Sequence, residues 1–160
     1  MATRPADRPP PPLRVRIEPM MRADLMDVLA IERASFRDPW APIAFERELT
    51  NDFSRALVAR EGSGRLAGYT IYWVAGPEYH ILNIAVRPDV RRRGVGRLLM
   101  NRIIADALRD KAEFVALEVR PSNIAARTLY LRYGFVTVGV RPHYYQDGED
   151  AEVMILHLRP

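Results

Sequence analysis

Residues 79–109 read YHILNIAVRPDVRRRGVGRLLMNRIIADALR, and this stretch limits the possible folds more than any other part of the chain. Ile81–Val86 is a short apolar run rich in β-branched residues and halted at Pro88, which predicts a buried strand. From Val95 onward the apolar residues fall at Val95, Leu98, Leu99, Ile103 and Ala107, the spacing of one helix face. Between strand and helix lie Arg91, Arg92, Arg93, Gly94, Val95, Gly96 and Arg97. Without a Cβ, the two glycines let a ligand approach the backbone closely. The helix start aims unpaired N–H groups and a positive dipole end at the same place. A strand, a basic glycine loop and a helix start in succession predict a site for a phosphate-bearing ligand.

Two common owners of such a loop fit poorly. The mononucleotide loop GxxxxGK[ST] needs a lysine that is absent here. The dinucleotide fingerprint GxGxxG fails at its third glycine, where Leu99 stands. Glu118 lies about 20 residues on, where that fold places its ribose acid, but the repeated βαβ units of such a domain are missing.

A chain of 160 residues, 48% of them hydrophobic, suffices for one well-packed core. The expected organisation is a disordered tail over residues 1–12, which contain five prolines, followed by one domain over 13–160. The absence of cysteine excludes disulfides and thiol catalysis. The net charge of +4 is weak evidence for nucleic acid, and none is required as a partner. No apolar run approaches the ~20 residues of a membrane span and no signal-peptide core is visible, so the expected location is the cytoplasm.

Along the chain, Arg14–Pro19 alternates as a first strand, and Asp24 is placed to cap a helix reaching Phe36. Pro39-Trp40 breaks that helix, and Pro42 opens a short one ending near Asn51. Ala56–Arg60 and Leu66–Val74 form a hairpin through Gly62-Ser63-Gly64. Phe114–Arg120 is a further strand, with Val115, Leu117 and Val119 on one face and Glu118 on the other. Ser122 or Asn123 caps a helix that runs to Tyr133 and stops at Gly134. Phe135–Val140 and Glu152–Leu158 close the chain as an antiparallel pair. This order predicts an α/β fold with a mixed sheet.

Three further features carry chemistry. Glu118 sits in an apolar strand; it reads either as half of an arginine salt bridge or as a general base whose pKa burial moves toward neutrality. Asn123, Ala126, Tyr130 and Tyr133 share one helical stripe, which suits a wall against a polar ligand, with Tyr130 able to donate a proton. Tyr144-Tyr145 with Asp147, Glu149 and Asp150 forms an aromatic and acidic rim suited to a cationic substrate. His80, His143 and His157 lack metal-binding spacing, so no metal is expected.

With these residues together, the chain resembles the GNAT family of acetyl-CoA-dependent N-acetyltransferases. Arg91-x-x-Gly94-x-Gly96 matches that family's pyrophosphate pattern, and the element order matches over about residues 14–158. The stretches Asn83–Val86, Leu117–Arg120, Ser122–Tyr130, Gly134-Phe135, Tyr144-Tyr145 and Glu149–Ala151 are similar to the RimI-type ribosomal-protein-alanine N-acetyltransferases. The proline-rich tail and Pro142 depart from that group.

The resemblance implies a GNAT fold, with a mixed central β-sheet flanked by about four helices. It also implies acetyl-CoA as cofactor, held by the main chain of Ile84, Ala85 and Val86 and by backbone amides of Arg92–Arg97. Asn123 would line the cofactor channel, Glu118 would be the base and Tyr130 the acid. Phe36, Trp40, Tyr144, Tyr145, Glu149 and Asp150 would frame the acceptor, a protein N-terminus. A lysine side chain or a small amine is the alternative acceptor; a non-catalytic acyl-CoA-binding module is the alternative of another class. The chemistry favours the α-amine: with a pKa of about 7.7–8.0, roughly a tenth or more is neutral at pH 7, against about one lysine in 2,500.

Overall fold

In the computed structural model, residues 8–159 are described. The expected disorder of residues 1–7 therefore lies outside the described residues. The strands are β1 (Val15–Pro19), β2 (Ser54–Glu61), β3 (Leu66–Ala75), β4 (Glu78–Val86), β5 (Phe114–Val119), β6 (Val136–Arg141) and β7 (Ala151–His157). The α-helices are α1 (Leu25–Ser35), α2 (Pro42–Thr50), α3 (Val95–Arg109) and α4 (Ile124–Tyr133). One seven-stranded sheet has the order β1-β2-β3-β4-β5-β7-β6. Its strands pair antiparallel except β4 with β5, which are parallel, as strands joined by the crossover helix α3 must be. The mixed α/β architecture read from the sequence is the one observed.

Along β4 and β5 fully buried residues alternate with half-buried ones, so neither face of the sheet is open to solvent there, and each receives helices. On one, Phe45 of α2 and Val28 and Ile31 of α1 pack with Val58, Tyr69 and Ile71. On the other, Met100 and Ile103 of α3 and Tyr130 of α4 pack with Tyr72, Tyr79, Val115 and Leu117. Gly68 sets how closely α3 seats: a Cβ there would lie 2.7 Å from the Ala85 carbonyl oxygen and 3.3 Å from a Val95 methyl. Among the described residues no helix is long and apolar enough to cross a membrane.

One local expectation fails. Asp24 precedes α1 but makes no side-chain cap to it. Its carboxylate turns back to accept the Met21 N–H (2.9 Å) and the Arg60 guanidinium (2.7 Å). The charged hydrogen bond to Arg60 is the stronger claim on an acceptor than one helix N–H.

Candidate active site

β4 and β5 pair from Glu78↔Phe114 to Ile81↔Leu117. Past that pair they part, although β4 continues to Val86 and β5 to Val119. A cleft of about 640 Å³ opens at the fork. Leu82, Asn83 and Ile84 line it from β4, and Glu118, Val119 and Arg120 from β5 and its end. Asn123, Ala126 and Tyr130 line it from the start and inner face of α4. Phe36, Asp38 and Trp40 enter from the α1–α2 connection, and Tyr144 and Tyr145 from the β6–β7 connection. Residues more than a hundred positions apart in sequence are thus brought together around one fork in the sheet.

The basic glycine loop runs directly into the N-terminus of α3, with Gly94 preceding its first residue. Arg91 is extended, Arg92 has φ 63 and Gly94 has φ 86. Positive φ at Arg92 and Gly94 bends the main chain ahead of α3. The first turn of α3 presents unpaired N–H groups. Two of the arginine side chains brace the loop instead of reaching outward. Arg91 donates to Val86 O and Ser35 Oγ, each at 3.1 Å. Arg93 donates to Pro11 O (3.0 Å), and its carbonyl accepts the Leu13 N–H. Ala85 is buried, and Val86, whose carbonyl takes the Arg91 hydrogen bond, pairs with Gly68 of β3.

Glu118 corrects an expectation. Burial by itself would raise its pKa, but a hydrogen bond and charge from His80 and the charge of Arg141 hold it below the ordinary carboxylate range. His80 Nε2 lies 2.6 Å from Glu118 Oε2, and Arg141 Nε lies 3.3 Å from Oε1. The carboxylate therefore has the salt-bridge partner that the sequence left open, and it is ionised at neutral pH. His80 was missed because the sequence does not reveal register. In the parallel pair His80 stands beside Ala116, which puts its side chain on the face that Glu118 shares.

Tyr130 is buried, with its ring tilted against Phe135 at 5.7 Å. Burial pushes its pKa up to about 12, so the phenol keeps its proton at neutral pH. Asn123 caps α4, its Oδ1 accepting the Ala126 N–H at 3.2 Å. Tyr133 leaves the stripe drawn from the sequence: its hydroxyl donates to Asn101 Oδ1 (2.8 Å) beside α3 and does not line the cleft.

The acidic rim is also corrected. Glu149 Oε1 accepts from Arg120 (2.9 Å) and Ser122 Oγ (2.8 Å), and Asp150 Oδ1 accepts the His143 N–H (2.9 Å). Asp147 is bound to Arg120 at 2.8 Å. These carboxylates are already paired with groups of the protein, Asp147 at the exposed surface, and the residues of this loop that line the cleft are Tyr144, Tyr145 and Gln146.

Glu32 is a second residue that sequence reasoning passed over. It is 1% exposed and accepts hydrogen bonds from Tyr69 Oη, Asn83 Nδ2 (3.0 Å) and the Trp40 N–H (3.1 Å). Burial raises its pKa, while those hydrogen bonds act the other way. The available signal was its place at i+4 from Val28, on the apolar face of α1, where a carboxylate needs partners.

The chain is similar to known acetyltransferases in both sequence and fold. The acetyltransferase (GNAT) family model matches residues 25–135. The chain is 38% identical over 147 residues to the N-alpha-acetyltransferase RimI of Mycobacterium tuberculosis, covering 88% of this chain and 90% of the relative. It is 33% identical over 143 residues to the [ribosomal protein bS18]-alanine N-acetyltransferase of Escherichia coli K12, covering 88% and 95%. The crystal structure of the Escherichia coli ribosomal-protein-S18-alanine N-acetyltransferase superposes with a TM-score of 0.84 at 31% identity, over 92% of this chain and 96% of that one. The forked β4–β5 pair, and the cleft there that Glu118 and Tyr130 both line, thus belong to a chain that is a member of the GNAT family of acetyltransferases.

Proposed function

We propose that this protein transfers an acetyl group from acetyl-CoA to the α-amine of a protein N-terminus, the N-terminal alanine of a small-subunit ribosomal protein. The observation that carries the reading is the fork, where an ionised carboxylate and a protonated phenol line the same cleft. Similarity to two enzymes named for alanine or N-α acetylation supports the choice of acceptor.

The residues present fit acetyl-CoA. The loop 92–97 offers main-chain N–H groups for a pyrophosphate, and Ile84–Val86 offers strand edge for an extended amide-bearing arm. When bound, that molecule supplies the acetyl thioester. Glu118 accepts the proton that the acceptor amine gives up, directly or through one water. His80 and Arg141 keep Glu118 ionised and fix its orientation. A β4 N–H at the fork stabilises the charge that develops on the carbonyl oxygen. Tyr130 gives its proton to the departing thiolate, and with no cysteine in the chain no thiol intermediate on the protein is involved. The reaction takes place in the cytoplasm, where ribosomal proteins are made.

The deciding experiment incubates wild-type protein and labelled acetyl-CoA with peptides beginning in alanine, with and without internal lysine, and maps the label by mass spectrometry. Label on the α-amine is the expected result. Label confined to lysine side chains would sink this reading.

A second measurement tests the acid. Tyr130→Phe keeps the ring and its packing on Phe135 and removes the proton, so turnover should fall roughly 10²-fold, the lower range for one acid–base group. Thermal stability should be unchanged, and equal turnover would make Tyr130 a packing residue.

A further inference from the structure

Arg120 stands at the end of β5, two residues beyond Glu118, and its side chain is 12% exposed. Its two terminal nitrogens reach opposite walls of the cleft. Nη2 binds Asp38 of the α1–α2 connection at 2.9 Å. Nη1 binds Asp147 (2.8 Å) and Glu149 (2.9 Å) of the β6–β7 connection. The Tyr145 ring lies 3.9 Å from the guanidinium carbon and covers it. Arg37 adds a weaker second tie to Asp147, at 3.5 Å.

The two connections joined in this way present Phe36 and Trp40 on one side and Tyr144 and Tyr145 on the other. We propose that Arg120 is a positioning residue that latches the two acceptor walls together, sets the width of the mouth and so selects acceptors with a small first residue. This proposal rests on the acetyl-transfer reading above and deepens it by naming what governs acceptor choice.

The latch depends on the guanidinium fork. A planar group with separate nitrogens can bind two walls at fixed spacing, whereas the single nitrogen of lysine cannot. Around it stand three carboxylates, Asp38, Asp147 and Glu149, against two arginines, Arg120 and Arg37. Loss of Arg120 leaves Arg37 alone against the three carboxylates, and the weak 3.5 Å Arg37–Asp147 contact in place of the fork that held both walls. Binding an acceptor must then reorder both connections, at a cost to affinity but not to the later proton transfers.

Two variants test the latch from opposite sides. Arg120→Lys keeps the charge and removes the fork; Asp38→Ala takes away the Arg120 acceptor on the α1–α2 arm and leaves the cluster on the β6–β7 side intact. Both should raise KM for an alanine-initiated peptide about tenfold or more, equivalent to ~1.4 kcal/mol, with KM for acetyl-CoA and kcat essentially unchanged. Both should also narrow the preference for alanine over a bulky first residue. Hydrogen–deuterium exchange should quicken in residues 36–41 and 144–149 of both variants while α3 keeps its protection. That measurement needs no acceptor, so it judges the latch even if the wild-type peptide assay overturns the acetyl-transfer reading. Unchanged exchange in both segments overturns the latch, and faster exchange with unaltered peptide KM and selectivity overturns its role in acceptor choice.

Discussion

Glu118→Gln should lower kcat for peptide acetylation by roughly 10²–10⁴-fold, the span attributed to a positioned acid–base group. The amide is the same size and can still accept from His80, so the fork and the fold survive. It cannot take a proton from the acceptor. The acetyl-CoA contacts proposed above fall on β4 and the 92–97 loop, not on β5, so acetyl-CoA affinity should hold within about twofold, and the loss belongs to the chemical step. Steady-state kinetics with a binding measurement on the same variant separates the two; an unchanged kcat would remove Glu118 as base.

The pH profile follows from the same geometry. His80 and Arg141 hold the Glu118 pKa below its ordinary value, so this carboxylate stays ionised well into the acid range. The rise of kcat/KM with pH should therefore track the acceptor amine, near pH 7.7–8.0 for an α-amine, roughly, and should move when a peptide of different amine pKa is used. An acid limb fixed in pH whatever the acceptor would place the titration on the enzyme. The stability effect has the depressed-pKa sign. Stabilisation from this group is present above the unfolded glutamate pKa and is lost as pH falls through the folded one.

The elements of this fold were legible because their signals are local. Pro42 opening α2, Asn123 capping α4 and Gly134 closing it at φ 96 each act within a few residues. The loop from Arg91 to Arg97 was legible for the same reason, since its conformation and its helix are contiguous. Pair geometry was not legible. Whether Glu118 meets His80, Arg141 or water depends on strand register and on the edge strand β6, 20 or more residues away. The acidic loop misled because nothing local marks Asp147 and Glu149 as paired, and Arg120 reaches them only when β5 and the β6–β7 connection are folded together. Asp24 misled in the same way, since its partner Arg60 comes from β2, 36 residues on.

Gly96→Ala separates what the fold asks of the glycine loop from what the ligand asks. Gly94 is held at φ 86, so a side chain there strains the backbone with or without ligand. Gly96 is different. It lies in the first turn of α3, and a Cβ built on it meets just the Val86 Cγ2 atom at 3.8 Å, ordinary contact. The free protein has no need of glycine there, and alanine would favour the helix by up to about 1 kcal/mol. A pyrophosphate lying against that turn does need it, because the added methyl holds the anion away from the N–H groups. Loss of one charge-assisted hydrogen bond, about 1.5–3 kcal/mol, corresponds to a fall in acetyl-CoA affinity of roughly 10- to 150-fold. The expected result is opposed in sign: melting temperature equal to wild type or higher without ligand, and a smaller upward shift when acetyl-CoA is added. An undiminished ligand shift in Gly96→Ala would mean that the pyrophosphate does not sit on this turn.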